Sequence, residues 1–494
     1  MGLVQKDALR TTIISSFGLI LGYLNKGLFF LLVFSTEQIG VVNLVFSLGV
    51  LFAQFSNFGA VYSIWKFFPF FKNKENNHHG FLSFSLLMTF LGIAIVTFFF
   101  LVFRSNIEDI YESKSPLFLD FYLWVIPLGV GYLMYLVLEV YLRSLFKNVI
   151  SVLAMDIVLR LVVSLLLLFF WLDWIDFEDF VVAHSLVFFV PPLVLIIYLK
   201  YLGELFINPK KINISKRFKK IIFNYSAFNY MNTLGRVLVN ALDVIMIAQF
   251  IGLKATGVYT TVVFLTSALQ VPYKSLIRVS SPIISEHWKN RDFSNMRLLY
   301  RQVSSVSLVV GLGLFIFTWV NIDFLFSFLK PEFSEGIWVF FFLMMGRLLD
   351  MYFGLNGHIF TSSKKYRYDL IFTFSLIGIV YFLNLYLIPI YGIVGAAIST
   401  AIALILYNLG RLLFVYFAYS IHPFTWRQLL IIILGITSII VVVNIPMFDL
   451  NIWIQFILRT FITGLIFFGT ILILNLEPET KNYLNKVFRF IKTS

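Results

Sequence analysis

Leu161-Val-Val-Ser-Leu-Leu-Leu-Leu-Phe-Phe-Trp171 carries one serine among eleven residues that are otherwise all apolar. It has neither the alternation of a half-buried strand nor the polar face of a surface helix. At membrane depth only helices and closed barrels satisfy their own backbone, and a run without alternation does not fit a barrel. Similar runs recur along the chain. Fourteen transmembrane helices are expected, at roughly 12–34, 40–64, 81–103, 117–142, 150–171, 179–200, 221–250, 257–280, 302–325, 337–361, 369–388, 392–416, 428–447 and 453–475. The composition agrees. Of 494 residues, 60% are apolar and 13% charged, and mean hydropathy is +0.90. A soluble chain is roughly a quarter charged. A soluble globular protein and a disordered chain are therefore excluded, as is a nucleic-acid binder that owes its pI of 9.5 to a basic domain. There is no cysteine, so disulfides, thiolate metal sites and thiol catalysis are absent. Met1 to Arg10 is short and polar, and the following apolar run is too long for a signal-peptide core and has no small-residue cleavage site. The first span is expected to stay as a signal anchor.

Loop charges set the orientation. With the N-terminus inside, 26 loop and terminal cations fall inside, while only Arg104, Lys114, Lys254 and Lys330 fall outside. Both termini are therefore expected in the cytoplasm, and this asymmetry accounts for most of the +13 net charge without a polyanionic partner. Trp65, Trp171, Trp174, Trp338, Trp426 and Trp453 lie near expected span ends, as in an interfacial belt. The basic loop Lys200 to Lys220 reads as a solvated linker between two halves, and Ser281 to Arg301 as a helix lying on the cytoplasmic surface. The expected fold class is an all-α polytopic membrane protein. Its organisation is a six-helix bundle at 1–200, a basic linker at 201–220, a pseudo-symmetric six-helix bundle at 221–416, and two further helices with a basic tail at 417–494. A short repeat supports the two halves: Phe34-Ser-Thr-Glu-Gln-Ile-Gly40-Val and Phe250-Ile-Gly-Leu-Lys-Ala-Thr-Gly257-Val both close a helix and open the next with Gly-Val. Such repeats place a binding site at their interface near the midplane.

Ionisable groups inside the membrane are costly and face the bundle interior or a wet cavity. Lys26 lies mid-span in helix one. Arg236, Asn240 and Asp243 follow at i, i+4 and i+7 in helix seven and share a face. Asp156 and Arg160 in helix five, and Arg347 and Asp350 in helix ten, are spaced to pair along their own helices, which makes them either structural pairs or cavity lining. Lys274 and Arg278 sit toward the inner mouth of helix eight, while Arg411 and Arg459 are near enough to helix ends to snorkel. Lys26 and Arg236 are too central to snorkel and are the leading cavity residues. The cationic excess suits an anion, especially a phosphate, which arginine binds bidentately. A lipophilic cation would need an unpaired carboxylate.

No phosphate-binding loop or kinase motif is present, so ATP hydrolysis is not expected. His78-His79 reads as a solvated turn rather than a metal site. The expected outside loops are short, which argues against a membrane glycosyltransferase, ligase or polymerase.

Three motifs carry a family resemblance. They are Leu234-Gly-Arg236 through Asp243-Val-Ile-Met-Ile-Ala-Gln-Phe-Ile-Gly252 with Ala255-Thr-Gly257-Val-Tyr259; Leu298-Leu-Tyr300-Arg301; and Leu387-Ile-Pro389-Ile-Tyr391-Gly392-Ile-Val-Gly395-Ala-Ala-Ile-Ser-Thr400. Together they resemble the polysaccharide-export branch of the multidrug/oligosaccharidyl-lipid/polysaccharide (MOP) exporter superfamily, the Wzx-type O-antigen and capsule flippases. In that family the first-half turn usually shows Gly-x-Tyr, where this chain has Gly40-Val-Val-Asn. The resemblance implies two six-helix bundles, alternating access and a central cationic cavity. It implies a bacterial plasma-membrane flippase moving an undecaprenyl-pyrophosphate-linked oligosaccharide from inner to outer leaflet, with Lys26 and Arg236 matching the cationic lining of helices one and seven. The implied partners are that glycolipid, membrane lipid and polysaccharide polymerase or export machinery, with no nucleic acid. No cofactor is implied beyond a coupling proton or sodium ion, for which Asp243 is the candidate. The rival readings are a flippase for a peptidoglycan or teichoic-type precursor, a drug/cation antiporter, and, from another class, a lipid-sugar polymerase or ligase.

Overall fold

The computed structural model describes residues 3–446 and 450–476, and every regular element among them is helical. The long helices are α1 (Arg10–Val33), α2 (Thr36–Ser56), α3 (Asn77–Val102), α4 (Pro116–Ser144), α5 (Val149–Trp171), α6 (Phe177–Tyr201) and α7 (Lys216–Phe250). They continue as α8 (Leu253–Ser267) and α9 (Gln270–Asn290), then α10 (Phe293–Val320), α11 (Pro331–Phe353), α12 (Asp369–Tyr419), α13 (Trp426–Val443) and α14 (Ile452–Ile473). Twelve of them, all but α8 and α9, are long and apolar enough to cross a membrane. The six tryptophans of the expected belt are all exposed.

The chain divides into two compact units, residues 1–261 and 262–494. In the first, α2 packs on α4 and on α7, so the seventh helix belongs with the first six by contact. The core here is aromatic and aliphatic, with Phe68, Phe81, Tyr141 and Leu195 fully enclosed. In the second unit α11 packs along α12. Gly346 makes this possible: a Cβ there would stand 3.0 Å from Ala401 Cα, the small-residue packing that membrane helices use. α12 is two helices joined at Gly392, whose φ of 60° and ψ of −141° suit glycine alone. The motif Gly392-Ile-Val-Gly395-Ala-Ala thus forms a tight corner followed by buried Gly395, Ala396 and Ala397.

Several expected elements differ. The span foreseen at 40–64 ends at Ser56. Phe58 and Gly59 take positive φ, and a new helix, Ala60–Phe71, follows. The span foreseen at 257–280 is two pieces, α8 and α9, with Pro272 in the first turn of the second. Proline has no N–H and crowds the carbonyl four residues earlier, which ends the preceding ladder. The segment 281–301 is not one surface helix. α9 stops at Arg291, in the left-handed region, and Asp292 caps α10 through the Asn295 amide at 3.1 Å.

The basic linker is anchored rather than freely solvated, and His78 is buried rather than in an exposed turn. His78 Nε2 lies 2.7 Å from Glu204 Oε2, its Nδ1 accepts from the Asn73 amide at 3.0 Å, and Asn213 N–H donates to the His79 carbonyl at 3.0 Å. Lys74 bridges the same glutamate at 3.3 Å. Loop spacing alone did not reveal this clasp, because its two sides are more than a hundred residues apart.

Candidate functional site

In the first unit the polar residues of α1 and α5 form a seam. Ser15 Oγ donates to Asp156 Oδ2 at 2.8 Å, and Arg160 Nη2 reaches Asp156 Oδ1 at 3.4 Å, the i,i+4 pairing that the spacing predicts. Arg160 also donates to the Gly18 carbonyl. Asn25 Nδ2 donates to the Arg160 carbonyl at 2.8 Å and accepts from Ser164 Oγ at 2.7 Å. Gly18 and Gly22 make room for this, since a Cβ at either would come within 2.6 Å of Asp156 or Arg160. Each helix carries one π turn on this seam, Asn25–Phe29 in α1 and Ala154–Val158 in α5. Such turns are rare and concentrate at functional sites.

Lys26 lies on the first of these turns, half-buried. Its Nζ donates to Asn43 Oδ1 at 3.4 Å and stands 4.8 Å from the centre of the Phe46 ring. Among the described residues it makes no ion pair. Arg160 is near enough to act on its charge, and so is Lys26 on the charge of His184, a buried side chain stacked on Phe180 at 5.7 Å. His184 was not foreseen. It is the one basic or carboxylic side chain between Asp179 and Lys200 of α6, and that singularity is the signal that could have pointed to it.

On α7, Asp243 is buried and accepts from the Tyr259 hydroxyl at 2.5 Å. Asn240 is exposed, so the shared face does not give the two the same surroundings. The Arg236 side chain lies outside the described residues. The two repeat glycines meet directly. A Cβ on Gly40 would be 2.9 Å from the Leu253 carbonyl carbon, and one on Gly257 would be 2.8 Å from that of Thr36. Each glycine thus rests on the carbonyl four residues before the other, a reciprocal contact consistent with a pseudo-twofold relation between the repeats.

The remaining expected residues belong to the second unit. Lys274 and Arg278 are exposed on α9. Asp350 accepts from Asn408 Nδ2 of α12 at 2.9 Å, and both Arg347 and Arg411 act on its charge. Arg411 does not snorkel. Its half-buried side chain forms an ion pair with the buried Asp369, its Nε 2.8 Å from Oδ1, and packs 4.2 Å over the Tyr407 ring. Asp369 is 42 residues away and was missed. Arg459, two turns into α14, donates to the Val320 carbonyl at 2.9 Å and stands 3.8 Å from Asp323 Oδ2. Among the described residues no cluster of three metal-ligating side chains occurs.

Comparison with known proteins places this architecture. A lipid II flippase, MurJ, in an inward closed conformation has the same fold, with a TM-score of 0.69 at 15% identity over 94% of this chain and 99% of that one. An inward-facing multidrug resistance MATE family transporter of the MOP superfamily gives 0.67 at 15% identity over 81% and 94%. An uncharacterised membrane protein, MJ1068 of Methanocaldococcus jannaschii, is 24% identical over 321 residues, and the match spans 62% of each chain. The resemblance drawn from the motifs is thus upheld in fold. Residues 6–288 match the family described as polysaccharide biosynthesis protein. That match covers more than half of the chain, which therefore belongs to the polysaccharide biosynthesis protein family and carries the fold of the MOP superfamily.

Proposed function

We propose that this chain is a flippase that moves an undecaprenyl-pyrophosphate-linked oligosaccharide, a repeat unit of O-antigen, capsule or exopolysaccharide, from the inner to the outer leaflet of a bacterial plasma membrane. Both termini lie in the cytoplasm in this reading, and fourteen spans cross the bilayer. The observation that carries it is Lys26: a half-buried ammonium at mid-helix, on a π turn, with an amide and an aromatic ring as neighbours and no ion pair among the described residues. A cation so placed has coordination to offer an anion, and a pyrophosphate takes it up with charge-assisted hydrogen bonds. Arg236 supplies the second cation of the clamp, with Lys274 and Arg278 at the inner mouth, while the polyprenyl tail stays in lipid. Alternating access then re-exposes the site. Asp243, held by Tyr259, takes the coupling proton or sodium ion.

The test is leaflet accessibility of a fluorescent polyprenyl-pyrophosphate sugar in proteoliposomes, with and without proton or sodium gradients. Protein-dependent movement of an unchanged molecule is expected. Lys26→Ala should abolish it at wild-type abundance, while Lys26→Arg should retain part. Normal transport by Lys26→Ala would remove the phosphate clamp, and transfer or lengthening of the glycan would make the protein a polymerase or ligase. A second reading, a flippase for a peptidoglycan precursor, is favoured by the fold shared with the lipid II flippase over nearly its whole length. Offering both substrates to the same vesicles separates the two.

A further inference from the structure

A groove of about 850 Å³ lies inside the second unit, between α10, α11 and α13. Its walls are hydrocarbon, with Leu308, Leu312, Phe315, Met345, Ile432 and Ile436 among them. The polar groups at one end satisfy each other: the Tyr352 hydroxyl donates to Gln428 Oε1 at 2.9 Å, and Gln428 Nε2 donates to Ser305 Oγ at 2.8 Å. The groove therefore offers an occupant almost wholly apolar contact.

Beside that end stands a cationic cluster. Phe424 lines the groove, with its ring 6.2 Å from Phe353, and on its other side stacks on His422 at 6.2 Å. His422 Nε2 lies 3.4 Å from Arg301 Nη2. Arg297 is one turn earlier on the same face of α10, and the charges of both arginines act on His422. If Nε2 accepts from Arg301, Nδ1 carries the proton. That Nδ1, together with the Nε atoms of Arg297 and Arg301, is buried without a hydrogen-bond partner among the described residues. Neither arginine forms an ion pair among the described residues. Three buried N–H donors with no acceptor in one neighbourhood are costly unless an acceptor comes to them, and between two guanidinium groups an anion is the acceptor that charge favours.

We propose that Arg297, Arg301 and His422, with the groove beside them, bind one anionic phospholipid, its phosphate on the three donors and a hydrocarbon chain between α10, α11 and α13. The phosphate supplies the missing acceptors, in the geometry that guanidinium groups favour. The apolar groove next to the cluster selects a lipid over a free anion. The whole lining belongs to one compact unit, which suits a resident lipid rather than a cargo that must cross. This site does not depend on the transport function proposed above.

Lipid-depleted full-length protein in detergent, titrated with phosphatidylglycerol or phosphatidylcholine and followed by native mass spectrometry and thermal unfolding, tests it. Phosphatidylglycerol should be retained and should raise the unfolding temperature, and phosphatidylcholine should not. Arg297→Gln with Arg301→Gln should weaken phosphatidylglycerol binding at least about tenfold, as expected for lost charge-assisted bonds. Ile436→Trp, which fills the groove and leaves the donors in place, should also weaken it. If the double variant does not fold, Ile436→Trp and Arg301→Lys carry the test. Equal response to both lipids, or undiminished phosphatidylglycerol binding by the folded variants, would overturn the proposal. Full substitution by inorganic phosphate would reduce the site to an anion pocket. Stronger binding of a polyprenyl phosphate would hand it to the carrier lipid. Either result overturns the phospholipid assignment.

Discussion

The reciprocal contact of Gly40 and Gly257 makes a quantitative prediction. Ordinary contact begins at 3.4 Å, and the Cβ of Gly40→Ala would stand 2.9 Å from the Leu253 carbonyl carbon, so α2 and α8 must part by at least 0.5 Å. For Gly257→Ala the corresponding distance is 2.8 Å and the separation 0.6 Å. The carbonyl oxygens are closer still, so these are lower bounds. A gap of 0.5–1 Å forfeits roughly a quarter to a half of each dispersion contact along the interface, and overpacking of this kind costs about 1–3 kcal/mol. The same movement relieves both clashes, because each glycine rests on the other's helix. Once one alanine has parted the backbones, the second should add little. The double variant should therefore cost about as much as the worse single one, leaving a coupling of about 1–3 kcal/mol between sites. Equilibrium unfolding of wild type, both singles and the double in one detergent measures the cycle. Additivity within about 0.5 kcal/mol, or alanines that cost nothing, would show that the reciprocal approach is not what holds these helices.

Other substitutions address the charged groups and the clasp. Asp369→Ala should destabilise by about 3–5 kcal/mol by stranding Arg411, whereas Asp369→Leu combined with Arg411→Met should recover most of the loss. A silent single variant would refute the buried pair. His78→Ala removes two hydrogen bonds of the linker clasp and should cost about 1–3 kcal/mol and speed proteolysis within 202–215. An unchanged cleavage rate would mean that the clasp does not hold the loop. Burial, then the charges of Arg301 and Arg297, hold the His422 imidazole below its ordinary pKa of 6.5. The unfolded chain therefore takes up this proton first, and stability should fall as pH drops below about 6.5. Wild type should lose more stability between pH 7.5 and 5.5 than His422→Asn, and parallel losses would contradict this assignment.

Membrane class and most helices were legible because each span announces itself locally, through about 20 apolar residues. The kinks were less so: Pro272 broke a span read as continuous, and the chain turned at Phe58-Gly59, where Ser56, Asn57 and Gly59 form a short turn signal inside a run read as one span. Pairings one turn apart, such as Asp156 with Arg160, could be read from spacing. Pairings across the fold could not. Arg411 looked like a snorkelling residue because its position near a helix end is visible in sequence, while its partner Asp369 is visible only in three dimensions. Asp350, spaced for Arg347, also receives a hydrogen bond from Asn408, 58 residues on. The reading of His78 as solvated failed for the same reason. The Gly40 and Gly257 repeat was legible as a pattern, though not as a contact.

The π turns on α1 and α5 also set a phase. Each winds one residue more than the α ladder around it, so the helix beyond is rotated by about 100° from where uninterrupted winding would place it. On α1 that rotation falls between Gly18 and Asn25, which face α5, and the buried rings of Phe30 and Phe34, which pack on Phe180 at 6.2 and 4.7 Å. Heptad or 3.6-residue counting carried across the turn assigns those phenylalanines to the wrong stripe. Loss of a single residue within Asn25–Phe29 would restore an ordinary ladder and swing Phe30 and Phe34 away from α6. A one-residue gap at this point between related chains is thus equivalent to a rotation of about 100°, and side chains on either side should be compared only after the phase has been restored.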